Sequence, residues 1–153
     1  MKLSTGLRRA VLATAVLPAI IALTPANAFA AVNDDFAART TDGCGVANFI
    51  DYGPGAPGGG DNDDYVVVHD YCADSHGVQA FVWINGEYWG DKYNGNGAAG
   101  AAVVWDPFKA YGPNNLSAGD AVTIKVCLVD GYHPNDDSAG FRCGTARHTS
   151  VDG

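Results

Sequence analysis

The stretch DAVTIKVCLV (120–129) decides the fold class. Val122, Ile124, Val126 and Leu128 alternate with Ala121, Thr123, Lys125, Cys127 and Val129, the period of two that belongs to a half-buried β-strand. The first four residues should face a core. Cys127 then lies on the more polar face with Thr123 and Lys125, so its partner should come from a neighbouring strand of the same sheet. Outward from this strand, short runs rich in Val, Ile and aromatic residues recur near 44–51, 64–72, 77–84, 87–93, 101–107 and 141–150, separated by Gly, Pro, Asn and Asp. Seven strands at this spacing predict a small antiparallel β-sandwich, and no segment carries a useful helical period. Composition points the same way. The chain holds 20 glycines, and all of its 17 acidic residues except Glu87 are aspartates, which favour turns and disfavour helix interiors.

The four cysteines, Cys44, Cys72, Cys127 and Cys143, bracket turn-rich stretches and read as a disulfide framework. A hairpin centred on Asn135, within DGYHPNDDSAG (130–140), sets Cys127 opposite Cys143. A hairpin centred on Gly58, within GPGAPGGG (53–60), pairs Ile50 with Val66, Asn48 with Val68, and Cys44 with Cys72. Of the three possible connectivities, register therefore selects Cys44 to Cys72 and Cys127 to Cys143. Each closed loop contributes on the order of 3 to 4 kcal/mol in the chain-entropy model. Asn85-Gly86 predicts a two-residue hairpin turn, which places Trp83 opposite Tyr88 and Val82 opposite Trp89.

The chain begins with the basic residues Lys2, Arg8 and Arg9, an apolar run from Ala10 to about Leu23, and a small-residue tail ending at Ala30. This pattern predicts a signal peptide over 1–30, and the run is too short for a membrane span. The expected product is a secreted, extracellular protein without a membrane partner, organised as a flexible polar leader over 31–42 and a sandwich domain over 43–153. Removing the first thirty residues takes three of the nine basic residues and none of the seventeen acidic ones, leaving six against seventeen, a formal charge of −11. Such a charge repels nucleic acid and anionic membranes.

Several groups compete for a function. Phe81, Trp83 and Tyr88 share one face of a hairpin and form either a platform on which sugars stack or a buried anchor with Trp89 on the outer side instead; small sandwiches favour the anchor. If consecutive strands run antiparallel, Asp74 and His76, then Tyr93, Asn94 and Asn96, then His133, Asp136 and Asp137, collect at one end. Two histidines with three aspartates have the chemistry for acid–base work or a divalent metal, but their spacing matches no metal motif. The other end collects Asp51, Asp61, Asp63, Asp64, Asn85 and Glu87; Asp61–Asp64 has the oxygen density that calcium favours but lacks the glycine and later glutamate of a calcium loop. These loops read as solvated turns. His69, alternating with Tyr65, Val67 and Tyr71, reads as a structural, hydrogen-bonded histidine. Ser75, Ser117, Ser138 and Ser150 lie in no nucleophile-elbow pattern, so no catalytic residue, metal or cofactor is assigned.

The segment LSAGDAVTIKV (116–126) resembles the corner and following strand of immunoglobulin-like modules, which implies that architecture and nothing about activity. In size, export signal and two short-range disulfides the chain is similar to secreted bacterial sandwich proteins that act as protease inhibitors, amylase inhibitors or ligand-carrying apoproteins, without their diagnostic segments. The functional expectation is a non-enzymatic module binding an extracellular polysaccharide or protein through Phe81, Trp83, Tyr88, Trp89, Tyr132 or His133. The alternative is an inhibitor of a secreted hydrolase that presents Tyr132, His133 and Pro134; a small hydrolase built on the two-histidine end ranks last.

Overall fold

The computed structural model describes residues 33–51, 64–110 and 115–151. Eight strands form two antiparallel four-stranded sheets packed as a sandwich: β1 (Phe36–Arg39), β2 (Gly45–Ile50), β3 (Tyr65–Asp70), β4 (Gly77–Ile84), β5 (Glu87–Asn94), β6 (Val103–Trp105), β7 (Ala121–Val129) and β8 (Phe141–Thr149). The first sheet has the order β1-β2-β3-β6 and the second β5-β4-β7-β8. β1 is the eighth strand, and it corrects the reading of 31–42 as a loose leader. Its Ala38 is fully buried and its residues pair with β2, Phe36 opposite Phe49 and Arg39 opposite Val46. A four-residue strand with two small alanines carries too little apolar alternation to stand out. The segments 1–32 and 52–63, which hold the predicted signal peptide and the acidic run Asp61–Asp63, lie outside the described residues.

The core follows the alternation of β7. Val122, Ile124, Val126 and Leu128 are buried with Val78, Ala80, Val82 and Ile84 of β4, facing Ala47, Phe49, Val66 and Val68 of the first sheet. Burying each large apolar side chain contributes about 1.5–3 kcal/mol. The predicted fifth strand is shorter than expected. β6 stops at Trp105 because Asp106 accepts the backbone N–H groups of Phe108 (3.0 Å) and Lys109 (2.9 Å), capping a single 3-10 turn. That turn drops Phe108 into the core, edge-on to Phe49 with ring centroids 5.5 Å apart.

Both disulfides are those selected by register, with Cα–Cα separations of 5.1 Å for Cys44–Cys72 and 4.1 Å for Cys127–Cys143. The front hairpin is offset by one residue from the expected register: Ile50 lies opposite Tyr65 and Asn48 opposite Val67. Cys44 and Cys72 meet just beyond the paired segment, where the chain is free to absorb that offset. Asn85 and Gly86 have φ of 53° and 86°, as a two-residue turn with both positions left-handed requires. Trp83 faces Tyr88 as expected. A bulge then intervenes, so Val82 faces Gly90, and Trp89 is the extra residue, packed toward the main core and not on the outer side.

The two sides of the sandwich close differently. On one side β8 of the second sheet lies against β1 of the first: the N–H of Thr41 donates to the carbonyl of Arg142 (2.9 Å). A Cβ at Gly144 would collide with the carbonyl oxygen of Arg39. Asp42 locks this seam, accepting from the Arg142 guanidinium (2.7 Å), the Thr40 hydroxyl (2.6 Å) and the Cys44 N–H (3.1 Å). The Thr40 hydroxyl and then Arg142 hold its carboxyl well below the usual carboxylate range. On the other side, β5 and β6 are bridged by the Trp105 ring, which lies over Gly90.

Candidate functional site

The bulge in the β4–β5 hairpin sorts the side chains of β5. Trp83, Phe81 and Gln79 point away from the main core, and their partners Tyr88, Asp91 and Tyr93 do the same. This outer face of the second sheet is covered by the long β7–β8 connection, residues 130–140. Underneath lies a second, small apolar cluster of Phe81, Cys127 and Val129, fully buried, with Trp83, Tyr93 and Cys143 at its margin. The Cys127–Cys143 bridge is part of this cluster, on the face that the alternation of β7 assigned to Cys127.

Gln79 and Asp91 clamp the connection down. Gln79 is fully buried; its amide nitrogen donates to the Asp91 carboxylate (2.8 Å) and to the carbonyl of His133 (2.7 Å), and its amide oxygen accepts from the N–H of His133 (3.1 Å). Asp91 also accepts from the Tyr88 hydroxyl (2.9 Å) and the N–H of Asn135 (2.9 Å). Farther along, Lys125 donates to the carbonyl of Asp137 (2.6 Å) and reaches its carboxylate at 3.2 Å. A buried, fully engaged amide is costly to disturb, so this network holds 132–137 in one shape. Burial, with help from the Asp91 carboxylate, pushes both the Tyr88 and Tyr132 phenols up, so both stay neutral.

The clamped connection leaves Tyr132 53% exposed, beside Tyr93 at a ring separation of 5.9 Å. Tyr88, 36% exposed, lies 5.5 Å from Trp83 at the margin of the same face. The Tyr93 ring occupies a seat that only glycines leave open: a Cβ at Gly77 would overlap it, and one at Gly95 would lie 2.6 Å from it. Two hollows adjoin this ring. One, about 310 Å³, is lined by Asp91, Lys92, Tyr93, Trp105 and Tyr132. The other, about 440 Å³, lies at the end of the sandwich and includes Cys72, His76, Gly77 and Asn96.

The sequence candidates thus separate. Phe81 is fully buried, the anchor that small sandwiches favour, and drops out as a ligand-binding candidate; Trp89 turns inward, against its expected place on the outer side, and drops out with it. Trp83, Tyr88, Tyr132 and His133 do come together around the clamped connection, with His133 held by both of its backbone groups. Gln79, Asp91, Lys92, Tyr93 and Trp105 were not singled out as ligand-binding residues. Gln79 carried the one available signal, an amide inside an otherwise apolar strand.

The β3–β4 and β5–β6 loops share one end, lining one hollow, but 133–137 folds back over the outer face of the second sheet onto Gln79, Asp91 and Lys125. His76 meets Asp130 (Nδ1 to Oδ1, 2.6 Å) and rests edge-on against Phe141. No three of Asp74, His76, His133, Asp136 and Asp137 bring ligand atoms within 4.8 Å of one another. Among the described residues such a group forms only at Cys44, Cys72 and Asp74, where both sulfurs are spent in the disulfide. At the opposite end the carboxylates serve the backbone: Asp64 accepts the N–H of Leu116 (2.9 Å) and Asp51 that of Asp34 (3.2 Å). His69 stacks on Tyr71 with ring centroids 5.2 Å apart and planes within 8° of parallel. Compared with protein-family models, curated proteins and solved structures, the chain matches none.

Proposed function

We propose that this protein is a non-enzymatic extracellular binding module whose working surface is the clamped β7–β8 connection with Tyr132, Tyr88 and Trp83. The predicted signal peptide and the two disulfides support an extracellular setting. The observation that carries the reading is rigidity combined with exposure. Gln79, Asp91 and Lys125 fix the connection from below, while Tyr132 stands 53% exposed at its surface. A surface ordered before its partner arrives avoids most of the entropy cost of binding, and tyrosine supplies contact area with few rotamers to freeze. The Leu116–Val126 corner and strand support an immunoglobulin-like architecture and no more, and the pairing of β2 with β3 departs from the strand order of that family.

A second reading, an inhibitor of a secreted hydrolase, is favoured by the same rigidity: Tyr132, His133 and Pro134 sit on a connection closed by Cys127–Cys143 and fastened by Gln79. Pull-down on insoluble polysaccharides, run beside an inhibition panel of secreted proteases and amylases, separates the two. Tyr132→Ala with Tyr88→Ala should abolish whichever interaction is found while leaving the melting transition in place. A turnover that disappears in a folded His76→Ala variant would sink both readings.

A further inference from the structure

We infer that the cleft between the β5 and β6 edges binds a neutral saccharide unit, with Trp105 as its stacking floor. This assignment deepens the binding-module reading and rests on it. The cleft is where the two sheets part. Trp105 ends β6, and its six-membered ring lies 3.3 Å from the position of a Cβ at Gly90, so glycine there lets the indole lie along the β5 backbone. Tyr93 and Tyr132, their rings 5.9 Å apart, line the same hollow of about 310 Å³ together with Asp91 and Lys92. That volume is at the lower end of small-molecule pockets, which run roughly from 300 to 1,000 Å³.

The chemistry of the lining selects the ligand. Three aromatic rings ask for a flat apolar face, which a pyranose presents as a sheet of C–H bonds. A purely apolar guest would desolvate the Lys92 ammonium and the Asp91 carboxylate without replacing their hydrogen bonds, at a cost of several kcal/mol. An anionic guest meets a chain of net charge −8, or −11 without residues 1–30, and a cationic one meets Lys92. A neutral polyol with one apolar face satisfies all of these constraints. Lys92 pairs with no carboxylate among the described residues, so its three N–H donors are available to ring hydroxyls. Asp91 acts differently. Its oxygens are already engaged by Tyr88, Gln79 and Asn135, and it is a positioning residue that sets the wall carrying Tyr132.

The test is titration of the oxidised protein with cellohexaose, maltohexaose, mannohexaose and chitohexaose, each followed by tryptophan fluorescence and calorimetry, with polygalacturonate as the anionic comparison. At least one neutral hexaose should bind with a Kd between about 10 μM and 1 mM and shift the tryptophan emission. Trp105→Ala and Tyr132→Ala should each weaken it by about tenfold or more, and Lys92→Ala by about threefold or more, whereas Tyr71→Ala, just past β3, should leave it unchanged. Tyr132 and Lys92 are outside the main core, so their variants keep the test decisive if Trp105→Ala fails to fold. No binding of any neutral hexaose up to about 10 mM would overturn the assignment. So would unchanged affinity in both Tyr132→Ala and Lys92→Ala. A saccharide lost on Tyr88→Ala but retained in those two variants would remove the cleft and leave the binding-module reading standing. A protein target captured through Tyr132 with no saccharide bound would do the same.

Discussion

The two seams of this sandwich are built on opposite plans. At the β1–β8 seam, backbone meets backbone: Thr41 bonds to Arg142, Gly144 leaves room for Arg39, and Asp42 ties the strands together. At the β5–β6 seam the sheets are held apart by a ring, Trp105 over Gly90, and the gap becomes a cleft walled by Tyr93 and Tyr132. The closed seam spends its polar groups on itself. The open one presents aromatic area and the Lys92 ammonium, which pairs with no carboxylate among the described residues.

The sharpest way to break this contrast is Gly144→Ala. A methyl group there meets a carbonyl that cannot retreat, because β1 is pinned on both sides, so the variant should lose about 3 kcal/mol in urea unfolding. A loss below about 0.5 kcal/mol would show that the closed seam is not close-packed. Gly90→Ala tests the open seam. Gly90 has φ of 135°, and a Cβ would lie 3.3 Å from the Trp105 ring, a tight side-chain contact where Gly144 would overlap backbone, so the expected loss is smaller, about 1–2 kcal/mol, accompanied by a shift in tryptophan emission. Equal losses at Gly90 and Gly144 would erase the distinction.

The smallest expected effect belongs to Asp42→Asn, about 1 kcal/mol at neutral pH. Its pH dependence is the useful part. The folded-state pKa of Asp42 is depressed, so its contribution is complete above the unfolded-state value of about 3.9 and fades as the pH falls through the folded-state value. Wild type and Asp42→Asn should therefore differ in stability at pH 6 and converge in strong acid. A gap that persisted at low pH would assign the effect to packing instead of charge.

Much of the fold is legible in the sequence because it rests on local periodicity. The alternation in 120–129 placed four core residues, and counting outward from Asn135 joined Cys127 to Cys143. Asn85-Gly86 announced its turn because only left-handed φ at both positions fits it. The errors came where one residue changes everything. The bulge at Trp89 turned a ring from one face to the other, and the front hairpin slipped by one position, because strand register depends on pairing energies spread over the whole ladder. β1 stayed hidden, since four residues with two alanines carry almost no alternation of their own.

What the sequence by itself determined was the class of fold, the disulfide pairing and the set of aromatic residues from which any binding surface must be drawn. Which rings are anchors and which are surface was decided by the tertiary structure alone. Phe81 is buried because the 130–140 connection, some fifty residues away in the chain, folds over it, and Tyr93 finds its seat because Gly77 and Gly95 are brought to either side of it. Those are long-range juxtapositions. Periodicity records which side of its own strand a residue takes, but not what another part of the chain will lay on that side.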